Sequence, residues 1–221
     1  MNKIIIFDID SLLFSCSLNV ETIEEAIFKY DEIYMSIINT VEDDYIIDNI
    51  YNYGCAIGNY RKTINIQYKA NRKSSSIPEL LNELKQYVLE NYNVIQGHGL
   101  ETDDLVARKW KENKENSIII SIDKDYRQFP ALIYNYHYLH KRFYDITEAE
   151  AKYNFAEQLI VGDENINYCK GYGKGYAKKL FKDCESDYQY IKQLFILYKK
   201  IHKSKARERL IDCWRMLALD I

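Results

Sequence analysis

The sequence predicts an α/β protein with a mainly parallel central sheet flanked by helices. Two observations point there. Apolar runs without alternation, Ile4-Ile5-Ile6-Phe7 and Ile118-Ile119-Ile120, have the composition of strands buried on both faces. Longer stretches with apolar residues at helical spacing lie between the strand-like runs, as crossover helices would.

In chain order, residues 3–9 form a first strand that ends in acids. Residues 21–40 follow as a helix, with Ile23, Ala26, Ile27, Tyr30, Ile33 and Ile37 on one face. A second strand lies within residues 50–57. Residues 59–76 are polar and basic, include Ser74-Ser75-Ser76, and read as a loop. Ser76 and Glu79 have the spacing of a capping box, which opens a helix through Leu80, Leu81, Leu84 and Val88. Val94-Ile95 is a short strand, and a helix runs from Thr102 with Leu105, Val106 and Trp110 inward. Residues 118–122 and Leu132-Ile133-Tyr134 are further strands. Thr147 and Glu150 cap a helix running to residue 160. Beyond a glycine-rich turn the remainder is helical and basic.

At 221 residues, 47% hydrophobic and 29% charged, the chain has the composition of an ordinary soluble domain. No apolar run approaches a membrane span, and the first is too short for a signal peptide. Five scattered cysteines without a C-x-x-C pair predict reduced thiols in a cytoplasm rather than a disulfide framework or zinc ribbon. His137 and His140 form an H-x-x-H with no cysteine nearby, and read as structural or surface residues. The net charge of −3 argues against a nucleic-acid partner until it is divided along the chain. Residues 21–50 hold nine acids against one lysine, whereas from residue 165 onward thirteen Lys and Arg face six Asp and Glu. The C-terminal third either faces phosphate or presents solvated basic helices.

The acids cluster where strands end. Asp8 and Asp10 close the first strand, and Glu101, Asp103 and Asp104 follow the Val94-Ile95 strand. Asp123 and Asp125 follow residues 118–122, and Asp163 and Glu164 precede the glycine-rich turn. In parallel sheets the site lies beyond the carboxyl ends of the strands. So many carboxylates in one cleft cannot all ionise without cations. Hard oxygens suit Mg²⁺ or Mn²⁺, and two ions roughly 3.5–4 Å apart would clamp a scissile phosphate. Helix capping explains any one group alone, but three groups on strand ends point to shared metal chemistry.

These residues resemble the phage-type 5′→3′ exonucleases of the flap endonuclease (PIN-like 5′-nuclease) superfamily. The resemblance rests on five segments in family order. They are Phe7-Asp8-Ile9-Asp10-Ser11-Leu12-Leu13; Asn59-Tyr60-Arg61-Lys62 with Tyr68-Lys69-Ala70-Asn71-Arg72-Lys73; Gly99-Leu100-Glu101-Thr102-Asp103-Asp104; Ser121-Ile122-Asp123-Lys124-Asp125 through Pro130; and Gly162-Asp163 with Gly171-Tyr172-Gly173-Lys174-Gly175-Tyr176-Ala177. It implies a PIN-like nuclease core over residues 1–160. Residues 161–221 would then form a helical subdomain with a helix-three-turn-helix DNA-binding motif.

It further implies two Mg²⁺ or Mn²⁺ ions held by Asp8, Glu101, Asp103, Asp104, Asp123, Asp125, Asp163 and Glu164. Lys69 and Arg72 would act on the scissile phosphate. DNA would meet Arg61, Lys62, Lys73, the Gly171, Gly173 and Gly175 turn, and Lys174, Lys178 and Lys179, with K⁺ held at the turn. The implied partner is DNA with a 5′ end, nick or flap, or an RNA/DNA hybrid. The implied enzyme is a monomer acting in a host cytoplasm during phage replication or primer removal.

Three departures stand out. The family's second aspartate after Gly-Asp is missing, so Glu164 stands in for it and the second metal site is weakened. Ala56-Ile57-Gly58 replaces an acid that some members carry. Only 28 residues separate Arg72 from Glu101, which leaves little room for a helical arch. A PIN-type ribonuclease would not need the glycine turn, and a DNA-binding module without catalysis would not need the acids.

Overall fold

Isoleucine builds the centre of the sheet. β1 (Lys3–Asp8) lies parallel to β4 (Ser117–Ile120), Ile5 beside Ile118 and Ile6 beside Ile119, and all four are buried. Branched side chains suit a pleated strand covered on both faces. β2 (Ile47–Tyr53), β3 (Val94–Ile95), β5 (Leu132–Asn135) and β6 (Arg142–Asp145) complete a six-stranded sheet of order β3-β2-β1-β4-β5-β6. Only the β5–β6 pair is antiparallel. The computed structural model describes residues 2–66, 68–69, 77–163 and 166–219. No described helix is long and apolar enough to cross a membrane.

The chain steps outward from β1 through β2 to β3, then returns to β4 on the other side of β1. That reversal leaves a crevice beyond the carboxyl ends of β1 and β4. Side chains alternate across a strand. Ile5, Phe7, Ile118 and Ile120 therefore pack with α1 (Asp10–Cys16) and α2 (Ile23–Glu42). A short helix, α3 (Arg61–Ile64), precedes α4 (Leu81–Asn91), which packs in the same layer as α2. Ile6 and Ile119 face α5 (Thr102–Asn113) on the opposite side. By the same alternation Asp8 turns toward α5. α6 (Glu148–Val161), α7 (Lys174–Leu180), α8 (Asp187–His202) and α9 (Ala206–Leu217) enclose a separate apolar cluster around Ile160, Leu194, Tyr198 and Cys213.

Capping chemistry sets two helix starts, the second as the sequence predicts. Thr22 accepts from the Glu25 amide at 3.2 Å ahead of α2. Thr147 and Glu150 cap each other's amides at 3.2 and 2.9 Å ahead of α6. The expected capping box of Ser76 and Glu79 does not open α4. The helix begins at Leu81 after Leu80, which offers no side-chain cap, and Ser76 itself lies outside the described residues. Pro78 works against that start: a proline disfavours helical geometry in the residue before it, which makes Ile77 a poor first helical residue. The second strand runs earlier than expected, ending at Tyr53. α1, β6 and α3, which lies inside the expected loop of residues 59–76, are additions. α1 is only seven residues long, and in β6 the adjacent Phe143 and Tyr144 hide the alternation.

Gly162 ends α6 at φ 76° and ψ −171°, a region that only glycine enters readily. A Cβ there would lie 1.9 Å from the Ile166 carbonyl oxygen, which accepts the Asp163 amide at 3.0 Å. Gly162→Ala should destabilise the protein by about 3 kcal/mol in urea unfolding. Gly175→Ala, whose Cβ meets open space within α7, should be neutral or stabilising.

Candidate metal centre

Asp8 closes β1 as a buried carboxylate. Its Oδ2 accepts the Tyr126 hydroxyl at 2.8 Å, with Ser121 Oγ at 3.4 Å, and its Oδ1 accepts the Asp10 amide at 3.2 Å. Burial, then the charge of Asp10, hold Asp8 well above the usual carboxylate range; Asp123 adds to this and the Tyr126 hydrogen bond opposes it. Asp10 is tied into the frame. Its two oxygens accept the Cys55 amide at 2.8 Å and the Thr102 hydroxyl at 2.6 Å, joining α1 to the end of β2 and the start of α5.

After β4 the chain enters a 3-10 turn (Lys124–Gln128), where Asp123 Oδ1 accepts the Asp125 amide at 2.9 Å. Gln158 of α6 donates to Asp125 at 3.0 Å. Burial, then Asp123 and Asp163, push Asp125 up to about 7. Asp163, just beyond α6, lies 3.8 Å from the Lys124 ammonium. In the first turn of α5, burial, then Glu101 and Asp104, push Asp103 up to about 7. Burial and then the charges of Asp8, Asp103 and Asp123 raise Tyr126 far above its ordinary value, so one hydroxyl senses acids from three chain segments.

Lys69 joins these groups. Its ammonium bonds the Glu101 carboxylate and opposes the upward shifts of both Asp103 and Asp125. Its backbone has φ 54°, and its ammonium lies 5.1 Å from the centroid of the Tyr68 ring. The Tyr68 hydroxyl donates to Glu101 at 2.8 Å.

Two sequence expectations need correction. Asp104 does not face the cleft: it is 0% exposed, and its two oxygens accept from Arg61 at 2.7 Å each. Arg61 was expected on DNA but is 1% exposed. It also reaches Glu101 at 3.0 Å and the carbonyls of Met216 and Ala218 at 3.1 and 2.8 Å. A bidentate buried pair leaves neither partner for metal or phosphate. Lys62 is exposed on α3. Gly171, Gly173, Gly175, Lys174, Lys178 and Lys179 lie on an exposed turn and on α7. Arg72, Lys73 and Glu164 lie outside the described residues. Tyr126, Ser121, Thr102 and Tyr68 hold the acids and were missed, although Tyr126 directly follows Asp125, Thr102 sits between Glu101 and Asp103, and Ser121 is two residues before Asp123.

Among the described residues no three His, Cys, Asp or Glu side chains close on one point as ligands of a single ion would. Their chemistry nonetheless suits a divalent cation: hard oxygens, two of which are pushed up to about 7 by burial and then by the charge of neighbouring acids.

No protein-family model and no curated protein sequence matches the chain. Solved structures do. A bacteriophage T5 flap endonuclease pseudo-enzyme–product complex with DNA and metal ions aligns at TM-score 0.64 and 14% identity, covering 98% of this chain and 99% of that one. The chain has the 5′-nuclease superfamily fold. The T5 5′-exonuclease with bound zinc aligns at 0.64 and 15% identity, covering 99% and 100%. The catalytic core of Rad2 in complex with DNA substrate aligns at 0.59 and 11%, covering 100% and 80%. The mostly parallel sheet and the helical C-terminal region are shared features of this 5′-nuclease fold.

The acids have a signature in pH. Unfolded aspartates ionise near 3.8, whereas Asp103 and Asp125 keep their protons up to about 7. Between those values the native state binds more protons than the unfolded chain, so these two groups lower stability as pH rises and add no further change above about 7. Thermal melts in EDTA should show wild-type Tm falling relative to an Asp103→Asn/Asp125→Asn variant across that window. A difference that stays flat, or reverses sign, would refute the assignment. Asp104→Ala should cost about 3–5 kcal/mol by leaving Arg61 buried and under-compensated. Asp123→Asn, at an exposed acid repelled by its neighbours, should cost nothing measurable or stabilise, and equal losses in urea unfolding would place Asp104 among the cleft acids after all.

Proposed function

We propose that this protein is a divalent-metal-dependent 5′-nuclease that hydrolyses phosphodiester bonds of DNA, with Mg²⁺ or Mn²⁺ as the working ion. The observation that carries the reading is a meeting of acids in a 5′-nuclease fold: the Tyr126 hydroxyl senses Asp8 of β1, Asp123 after β4 and Asp103 of α5, and Lys69, bonded to Glu101, offsets both Asp103 and Asp125. Asp8, Glu101, Asp103, Asp123, Asp125 and Asp163 would hold the ions. Divalent ions bound there supply the water activation and charge neutralisation that the hydrolysis needs.

The chain's own residues position and compensate. Tyr126 and Ser121 fix the Asp8 carboxylate, and the Arg61–Asp104 pair fixes the first turn of α5. Lys69 exchanges Glu101 for the scissile phosphate and neutralises charge that builds there. The exposed turn of Gly171 and Gly173, with Gly175, Lys174, Lys178 and Lys179 on the α7 helix that follows, tracks duplex phosphates without reading sequence, and carbonyls of the turn take K⁺. The DNA-bound T5 and Rad2 neighbours support DNA as the partner. A second reading, a DNA-binding module without catalysis, is favoured by one observation: Glu101 and Asp163 already have lysine neighbours.

Labelled nicked, 5′-flapped and blunt duplexes incubated with Mg²⁺, Mn²⁺ or EDTA decide between the readings. Short 5′ products should appear only with metal, and their lengths separate exonuclease from flap cutting. Asp123→Ala and Lys69→Ala should each lose roughly 10²–10³ in rate. Lys69→Ala should keep the metal-induced rise in Tm. DNA bound but uncut in both metals would transfer the assignment to the binding module.

A further inference from the structure

From Tyr126 to Tyr144 the chain contains no acid, and its exposed basic and aromatic residues gather in one hairpin. β5 runs parallel to β4 and so to β1, so the loop that leaves β5, residues 136–141, rises from the same sheet edge as Asp8 and Asp123. Tyr136 anchors it, its ring edge-on to Phe7 at 5.9 Å, one residue before Asp8. The turn is closed by its own backbone. The His137 amide donates to Asn135 Oδ1 at 3.0 Å, and the amides of His140 and Lys141 donate to the His137 carbonyl at 2.7 and 2.8 Å.

A turn fixed in this way holds its tip in solvent. Tyr138 is 80% exposed and Leu139 66%, with the Tyr138 ring leaning on His137 at 4.6 Å. Lys141 and Arg142 stand exposed on the returning arm, Arg142 over the Tyr144 ring at 4.5 Å. An aromatic face beside fixed cations matches the alternation of base and phosphate along a nucleic-acid strand. Paired bases are already stacked on one another, so only unpaired bases have faces to offer it.

We propose that the β5–β6 hairpin binds the single-stranded part of the substrate, an unpaired base stacking on Tyr138 and Leu139 while the adjoining phosphates meet Lys141 and Arg142. The identity of that substrate rests on the nuclease reading; the contact itself is measurable without cleavage.

In EDTA, duplexes with and without a 5′ single-stranded tail, carrying 2-aminopurine in the tail, report both affinity and stacking. The wild type should prefer the tailed duplex and quench the probe. Tyr138→Ala should lower tail affinity relative to plain duplex about tenfold and abolish the quenching, while Tyr138→Phe retains both. A wild type without tail preference, or a Tyr138→Ala variant with the wild-type ratio, overturns the proposal. Failures are separable. Loss of tail preference in Tyr138→Ala, from a wild type that cuts no DNA, sinks the nuclease reading and leaves the hairpin site. Unchanged preference, with a wild type that cuts, sinks the hairpin site alone.

Discussion

Like charge crowded at the carboxyl edge of a parallel sheet is the constraint on which the rest of this molecule depends. The strands that end there are buried on both faces, so Asp8 enters the cleft already desolvated. Burial raises Asp125 and Asp103 too, and repulsion adds to it, from Asp123 to Asp125 and from Glu101 to Asp103. Such a cluster costs stability unless neighbours restrain it. Tyr126, Ser121 and Tyr68 supply hydroxyl donors, and Gln158 supplies an amide from α6. Those contacts reach from the sheet to the helical region, so the cluster is held by both.

The fold compensates its acids in two different ways. Asp104 receives a permanent cation: Arg61 meets both its oxygens and uses its remaining donors on Glu101 and the C-terminal end of α9. That guanidinium joins α3, α5 and α9 into one frame. Asp103, one residue earlier, receives no such partner among the described residues, and its pKa is raised, by burial first and then by Glu101 and Asp104. Successive residues on a helix point about 100° apart, so adjacent acids can serve opposite purposes, one to lock the helix start and one to present charge to the cleft.

That division explains what could be read from the sequence and what could not. The apolar runs and the acids that end them identified the sheet and the edge where the acids gather, because burial and strand polarity are local consequences of composition. Asp103 and Asp104 could not be told apart, since the difference is a partner more than 40 positions away in sequence. Arg61 misled for the same reason: inside a basic segment nothing local marks it as a core residue. β6 was invisible because Phe143 and Tyr144 face opposite layers while both are aromatic. Tyr126 lay in plain view within the Asp-Lys-Asp-Tyr run, and its role as a donor to Asp8 followed only once β1 and β4 were adjacent.

Charge also acquires a direction that composition hides. The acidic stretch of residues 21–50 folds largely into α2, whose Glu24, Glu25 and Glu32 are exposed on the layer that covers Phe7 and Ile120. The basic helices lie on the other side. α6 connects them, placing Ala151 in the α5-side cluster and Ala156, Leu159 and Ile160 in the C-terminal one. A polyanion approaching such a molecule is repelled from one layer and drawn to the other, even though the net charge is −3. In the proposed function the cleft acids would face a phosphate that the basic helices attract. Close approach therefore has to be paid for by cations at the cleft itself. Lys69 supplies one, and in the proposed nuclease divalent ions on the acids around it would supply the rest.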